Sequence, residues 1–225
     1  MHEQARMGER PMPKRRKVSN ILGLAVLVTL SARPMHPYEI ASLLRARGKD
    51  QDMKIKWGTL YTVVRNLEKH GFLEVAQNVR HGARPERTVY RITDLGREEM
   101  TDWVRELVAV PEREFPRFEA ALSSLGVLPP DEAAELLRQR LKALETQICE
   151  HRTELAAAEG LPRIFLVETE YDLALRVAEA DWVRVLLEDL TQGTLAGLDV
   201  WRGYHETGHV PEEIADWAEK GAIDH

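Results

Sequence analysis

The order of amphipathic segments between residues 18 and 110 constrains the fold most strongly. Three helical patterns come first, over residues 18–32, from Pro37 to Gly48, and from about residue 57 to His70. Apolar residues recur every three or four positions in each, which is typical of helices with one buried side. Residues 72–79 and 88–92 then shift to period two and predict a hairpin, and Thr93 can cap a fourth helix to about Val108. Because a lone hairpin is marginally stable, we expect one compact winged helix-turn-helix domain over residues 18–110.

Residues 111–225 follow a different pattern, that of long helices. Pro130 opens a helix whose apolar residues repeat with heptad-like spacing, and Gly160 and Pro162 end it. The repeating apolar residues of this helix are Leu137, Leu141, Leu144, Ile148 and Leu155. The apolar stripe of the next helix comprises Tyr171, Leu175, Ala178, Trp182, Val185 and Leu186. Two such helices cannot bury both stripes completely against each other, so we expect a second copy of the chain as partner. The predicted fold class is mainly α, with a helical, coiled-coil-like dimerisation domain after the winged domain.

Charge is distributed unevenly along the chain. The net charge is −6, but residues 1–92 carry +10 and residues 93–225 carry −16. Residues 1–17 hold six Lys and Arg among glycine and proline, so we expect a flexible basic arm there. A basic front half fits a polyanion such as double-stranded DNA, which the acidic back half would repel.

Composition excludes several other classes. The single cysteine, Cys149, cannot form an internal disulfide, and the sequence contains no CxxC pair that would indicate a zinc module. The longest apolar stretch, residues 21–30, is too short to span a bilayer. We therefore expect a cytoplasmic protein with no cofactor and no membrane partner.

Four motifs occur in register. Residues 57–73 read WGTLYTVVRNLEKHGFL, preceded by ILGL at 21–24 and HPYEI at 36–40, and followed by YRITDLGR at 90–97. Together they resemble the PadR family of bacterial transcription regulators, although Pro37 stands where many members have glycine. The resemblance implies a ligand-responsive repressor that binds an inverted-repeat operator as a homodimer. It also implies a small aromatic effector, for which Trp103 and Trp182 are candidate lining residues.

The third helix and the hairpin supply the candidate DNA-binding residues. An α-helix fits the major groove, where Arg reads guanine and Asn reads adenine, and hairpin arginines can enter a minor groove or hold phosphates. The candidates on and before the helix are Lys54, Lys56, Thr59, Tyr61, Thr62, Arg65, Asn66 and Lys69. Those on the hairpin are Arg80, Arg84 and Arg87.

Two alternatives remain at this point. Residues 205–209, HETGH, match the HExxH pattern of zinc peptidases, in which His205 and His209 hold the metal and Glu206 is the base. Gly208 and the following Pro211 argue against a stable helix there. The other alternative is a helical protein-interaction module that uses its winged domain to bind a protein. A basic exposed face on the third helix favours DNA binding over protein binding.

Overall fold

The computed structural model describes residues 16–49, 56–79 and 87–209. The chain divides between Arg113 and Glu114 into two compact units. No helix within these ranges is both long and apolar enough to cross a membrane.

The first unit contains four helices and two strands among its described residues. These are α1 (Ile21–Leu30), α2 (Pro37–Ala46), α3 (Leu60–Lys69), β1 (Leu73–Val79), β2 (Arg87–Ile92) and α4 (Asp94–Ala109). A short 3-10 turn over Trp57–Thr59 leads into α3. The three helices, hairpin and following helix predicted from the sequence are therefore present, with ends shifted by a few residues.

Local side chains fix where these helices begin. The Asn20 carboxamide accepts a hydrogen bond from the Leu22 amide, which starts α1 three residues later than predicted. His36 and Glu39 form a reciprocal capping box at the start of α2, where Pro37 occupies the first turn. The Thr93 hydroxyl accepts from the Gly96 amide and caps α4.

Helix α1 lies at the centre of the first core. Eight of its ten residues are buried, and α2, α3, α4 and β2 pack around it. The inward side chains of α3 are Leu60, Val63, Val64 and Leu67, all at most 4% exposed. Burial of this side fixes the rotation of α3 and so determines which of its residues face outward.

The wing is an antiparallel pair with Leu73 opposite Ile92 and Val79 opposite Arg87. The register shifts between Val75 and Gln77, so one strand has an extra residue there. Met35 forms a bridge with Tyr90, which ties the segment before α2 to β2.

The second unit is built on a helical hairpin. Its described helices are α5 (Arg117–Leu122), α6 (Pro130–Ala157), α7 (Val167–Gln192) and α8 (Leu198–Thr207). Arg140 contacts Glu179, Gln147 contacts Arg176, and His151 contacts Asp172, so α6 and α7 run antiparallel. Leu137, Leu144 and Ile148 of the predicted seam are buried between the helices. The mainly α class, with a winged domain followed by helices, is confirmed.

The predicted stripe of α7 does not face α6. The residues of α7 that are buried against α6 and its neighbours are Ala180, Val183 and Leu190. Most of the predicted stripe remains exposed, with Tyr171 at 67%, Leu175 at 51%, Trp182 at 49% and Val185 at 59%, whereas Leu186 packs against this core. Helix α7 therefore carries two apolar faces on opposite sides, of which the chain itself covers one.

Candidate nucleic-acid interface

The outward side of α3 holds five of the predicted contact residues together. Tyr61, Thr62, Arg65, Asn66 and Lys69 are all exposed, opposite the buried side of the helix. Tyr61, expected to be either a packing ring or a contact, is 53% exposed. The face combines two cations, an amide, a hydroxyl and a phenol, which are the groups that bind phosphates and base edges.

The start of α3 presents two more of the predicted residues. Lys56 is exposed immediately before the 3-10 turn. The Thr59 hydroxyl donates to the Lys56 carbonyl at 2.7 Å, so it does not cap the first turn of α3. No side chain caps this end of α3. The Thr59 and Leu60 amides instead donate to the carbonyls of Lys56 and Trp57 within the 3-10 turn.

The structure describes few of the DNA-binding residues that were predicted on the wing. Lys54, Arg80 and Arg84 lie outside the described residues, and Arg87 is described only as the first residue of β2. Arg91 is exposed and pairs with Glu74 across the strands at 2.6 Å. The proposed wing contacts therefore stay predictions.

The wing strand is joined to α3 by Tyr90. Burial raises the pKa of Tyr90, a hydrogen bond to Glu68 and the charge of that carboxylate add to the rise, and Arg65 opposes it. The phenol thus stays protonated and lies beside the Glu68 carboxylate, one turn from Arg65 on α3. Sequence analysis did not single out Glu68, because its partner lies 22 positions away in β2.

Trp103, which was predicted to line an effector site, is buried in the first unit. It is 4% exposed, and the guanidinium of Arg16 lies 5.2 Å from the centre of its ring. Arg16 also pairs with Glu99 at 2.6 Å and with Glu106. Arg16, which we assigned to the flexible arm, is instead packed against α4, because two carboxylates and an aromatic face compensate its burial. A ligand would have to displace Arg16 to reach this face of Trp103.

Trp182 lies in the second unit and is accessible. Its ring meets Phe118 of α5 edge-on, with centroids 6.1 Å apart, and about half of the residue is exposed.

An apolar groove that the sequence did not reveal lies between α1 and α4. Its volume is about 600 Å³, and Val28, Met100, Val104 and Val108 line it. This is within the range of small-ligand sites. Its lining comes from helices about 70 residues apart, so no local motif marks it.

The HExxH pattern does not form a metal-binding helix. Helix α8 ends at Thr207, and Gly208 adopts a left-handed conformation, so His209 lies beyond the helix. The ring of His205 contacts the Gly126 carbonyl at 3.0 Å, and among the described residues no three His, Cys, Asp or Glu converge as metal ligands. Because the motif requires both histidines on one helical face, the zinc peptidase interpretation has no support here.

Three helices, a wing and an outward polar helix face define the class of winged helix-turn-helix proteins. Residues 26–102 match the Transcriptional regulator PadR-like family. The winged helix-turn-helix part of the chain is thus similar to this family of transcriptional regulators.

Individual relatives and solved structures are similar to the chain as well. The Negative transcriptional regulator PadR of Bacillus subtilis (strain 168) is 23% identical over 128 residues, which cover 57% of this chain and 69% of that protein. The crystal structure of Bacillus subtilis PadR in complex with operator DNA has a TM-score of 0.62 at 20% identity, covering 76% of this chain and 99% of that one. A second structure of that protein, in complex with p-coumaric acid, has the same score, identity and coverage. The structure of the Vibrio cholerae virulence activator AphA has a TM-score of 0.59 at 20% identity, covering 76% of this chain and 98% of that one.

Proposed function

We propose that the chain is a sequence-specific DNA-binding regulator that places α3 in the major groove. The observation that carries this proposal is the outward face of α3, whose five polar and cationic side chains are exposed while its other side is locked into the core. Arg65 and Asn66 are the residues suited to guanine and adenine, and Lys56 and Lys69 to phosphates. The operator-bound form of the Bacillus subtilis relative supports the same use of the fold.

The experiment compares the wild type with the double variant Arg65→Ala/Asn66→Ala on DNA from the region upstream of its own gene. Losing two base contacts should weaken specific binding by at least about 2 kcal/mol, or roughly 30-fold, while binding to unrelated duplex changes far less. Both residues are exposed, so circular dichroism should remain unchanged. Arg105→Ala is the matched control, because it removes an exposed arginine from α4. Equal binding by the wild type and the double variant would contradict the proposal.

The regulator acts as a homodimer joined through the outer face of α7. Four large apolar side chains of this face are about half exposed or more, although the opposite face of the same helix is already packed. A helix that is apolar on both sides is stable in water only when a partner covers the second side. The simplest partner is the same face of a second copy, related by a two-fold axis.

A two-fold dimer presents two α3 helices, so the operator is an inverted repeat with half-sites about 34 Å apart. The regulator represses by occupying this site. The Bacillus subtilis relative is a negative regulator, which supports repression.

A small aromatic molecule releases the regulator from DNA. The p-coumaric acid complex of the Bacillus subtilis relative supports this ligand class. Trp182 lies on the proposed dimer face of α7, so an effector beside it would bind at that interface, whereas the ring of Trp103 lies beneath Arg16. Adding p-coumaric acid to the protein–DNA complex should restore free DNA, and a complex unaffected at millimolar ligand would count against this effector class.

A further inference from the structure

A residue outside the predicted set is held at the entrance to α3. The guanidinium of Arg45, in the last turn of α2, lies 4.2 Å from the centre of the Trp57 ring. Trp57 begins the turn that leads into α3 and packs partly into the first core. The ring is therefore anchored by the fold, and Arg45 is placed against it.

The stacking leaves the hydrogen-bonding edges of Arg45 available. A cation–π contact uses the flat face of the guanidinium, whereas its N–H donors point outward in the plane. Arg45 is exposed, and no ion pair to it occurs among residues 16–49, 56–79 and 87–209. The planar fork thus retains the geometry that binds a phosphate through two hydrogen bonds.

Two further cations lie near Arg45 in the part of the chain that the structure describes. Arg47 and Lys56 are both exposed beside the same junction, while the one acidic residue of α2, Glu39, is in its first turn. In helix-turn-helix proteins the helix before the reading helix crosses the sugar-phosphate backbone. The junction of α2 and α3 is therefore where a phosphate flanking the major groove comes close.

We propose that Arg45, stacked on Trp57, is a DNA-backbone contact that binds a phosphate at the edge of the groove entered by α3. This inference rests on the proposed DNA-binding function and adds a contact that carries no sequence information. Trp57 is a positioning residue, since it touches Arg45 rather than the phosphate. Pre-ordering of the guanidinium reduces the entropy lost when the contact forms.

The test measures binding to two duplexes of about 30 base pairs, one from the region upstream of the gene and one of random sequence, over a range of salt concentrations. Arg45→Gln should weaken both complexes by a similar factor of about ten and reduce the magnitude of the salt slope by about one. Arg45→Lys should keep the slope but not the full affinity, because it retains the charge without the planar fork. Arg105→Gln is the matched control, since it removes an exposed arginine of α4 that lies outside this junction.

Trp57→Leu tests the positioning role. It should weaken binding in the wild-type background and have little further effect in the Arg45→Gln background, which a purely structural role of the ring would not produce. Thermal unfolding of each variant checks the fold, and Arg45→Gln should unfold near the wild-type temperature.

The outcomes separate the two proposals. If the wild type binds DNA but Arg45→Gln leaves the slope unchanged, or acts no differently from Arg105→Gln, the Arg45 contact is wrong and the DNA-binding function stands. If the wild type binds neither duplex, both proposals are overturned.

Discussion

Gly96 shows how one residue fixes the attachment of the wing to the helices. It lies in the first turn of α4, where a Cβ atom would come within 2.1 Å of the Phe72 carbonyl oxygen and 2.9 Å of Ile92. The Thr93 hydroxyl donates to the carbonyl of Gly71 and accepts from the Gly96 amide in the same corner. Only glycine allows the backbone of α4 to approach the start of β1 this closely.

Gly96→Ala should therefore lower the free energy of unfolding by at least about 1–3 kcal/mol, the usual cost of forcing an atom into a packed site. Chemical denaturation of the purified protein measures this. Gly58→Ala is the control, because a Cβ there meets nothing within 4 Å. Equal stability of the two variants would mean that α4 and β1 do not meet as described.

The Arg16 cluster shows a residue-scale feature that the sequence could not reveal. In the sequence, Arg16 is one of six cations in a polar N-terminal segment. In the structure, its side chain is buried against Glu99 and Glu106. These partners are 83 and 90 positions away, and no periodicity links them. Long-range pairing of this kind depends on the antiparallel packing of α1 and α4, which exists only in the folded chain.

At the scale of elements, most of the fold could be predicted from local pattern. Helix α3 was predictable because Leu60, Val63, Val64 and Leu67 repeat with helical spacing, and the same spacing predicted which residues face outward. Caps at Asn20, His36 and Thr93 are local as well. The sequence could not show which of the two apolar faces of α7 packs against α6, because a single sequence does not reveal which neighbour each face meets.

The exposed apolar stripe of α7 leads to a prediction about dimer formation. Leu175→Glu places a carboxylate on the exposed stripe and should dissociate the proposed dimer, because a buried unpaired charge is costly at an interface. Sedimentation equilibrium should then report the mass of one chain rather than two. Lys142→Glu puts the same side chain at an exposed position of α6 and should remain dimeric.

A wild type that sediments as a single chain would contradict the dimer directly. So would a Leu175→Glu variant that stays dimeric at the same concentrations, because the α7 stripe would then not be the interface.

At the scale of the whole molecule, charge separates the two tasks of the chain. Residues 1–92 carry +10 and include α3 and its flanking cations, whereas residues 93–225 carry −16 and include the helical hairpin. A negative helical unit disfavours contact with DNA except through the basic unit. The separation was visible in the sequence, since it depends on composition and not on contacts.

The salt dependence of DNA binding measures the central claim, that the α3 side of the basic unit neutralises DNA phosphates. Binding of the wild type to DNA from upstream of its gene should give a log–log slope near −5, if about six phosphates are neutralised. A slope near zero would show that this surface does not meet DNA, and the account would be wrong.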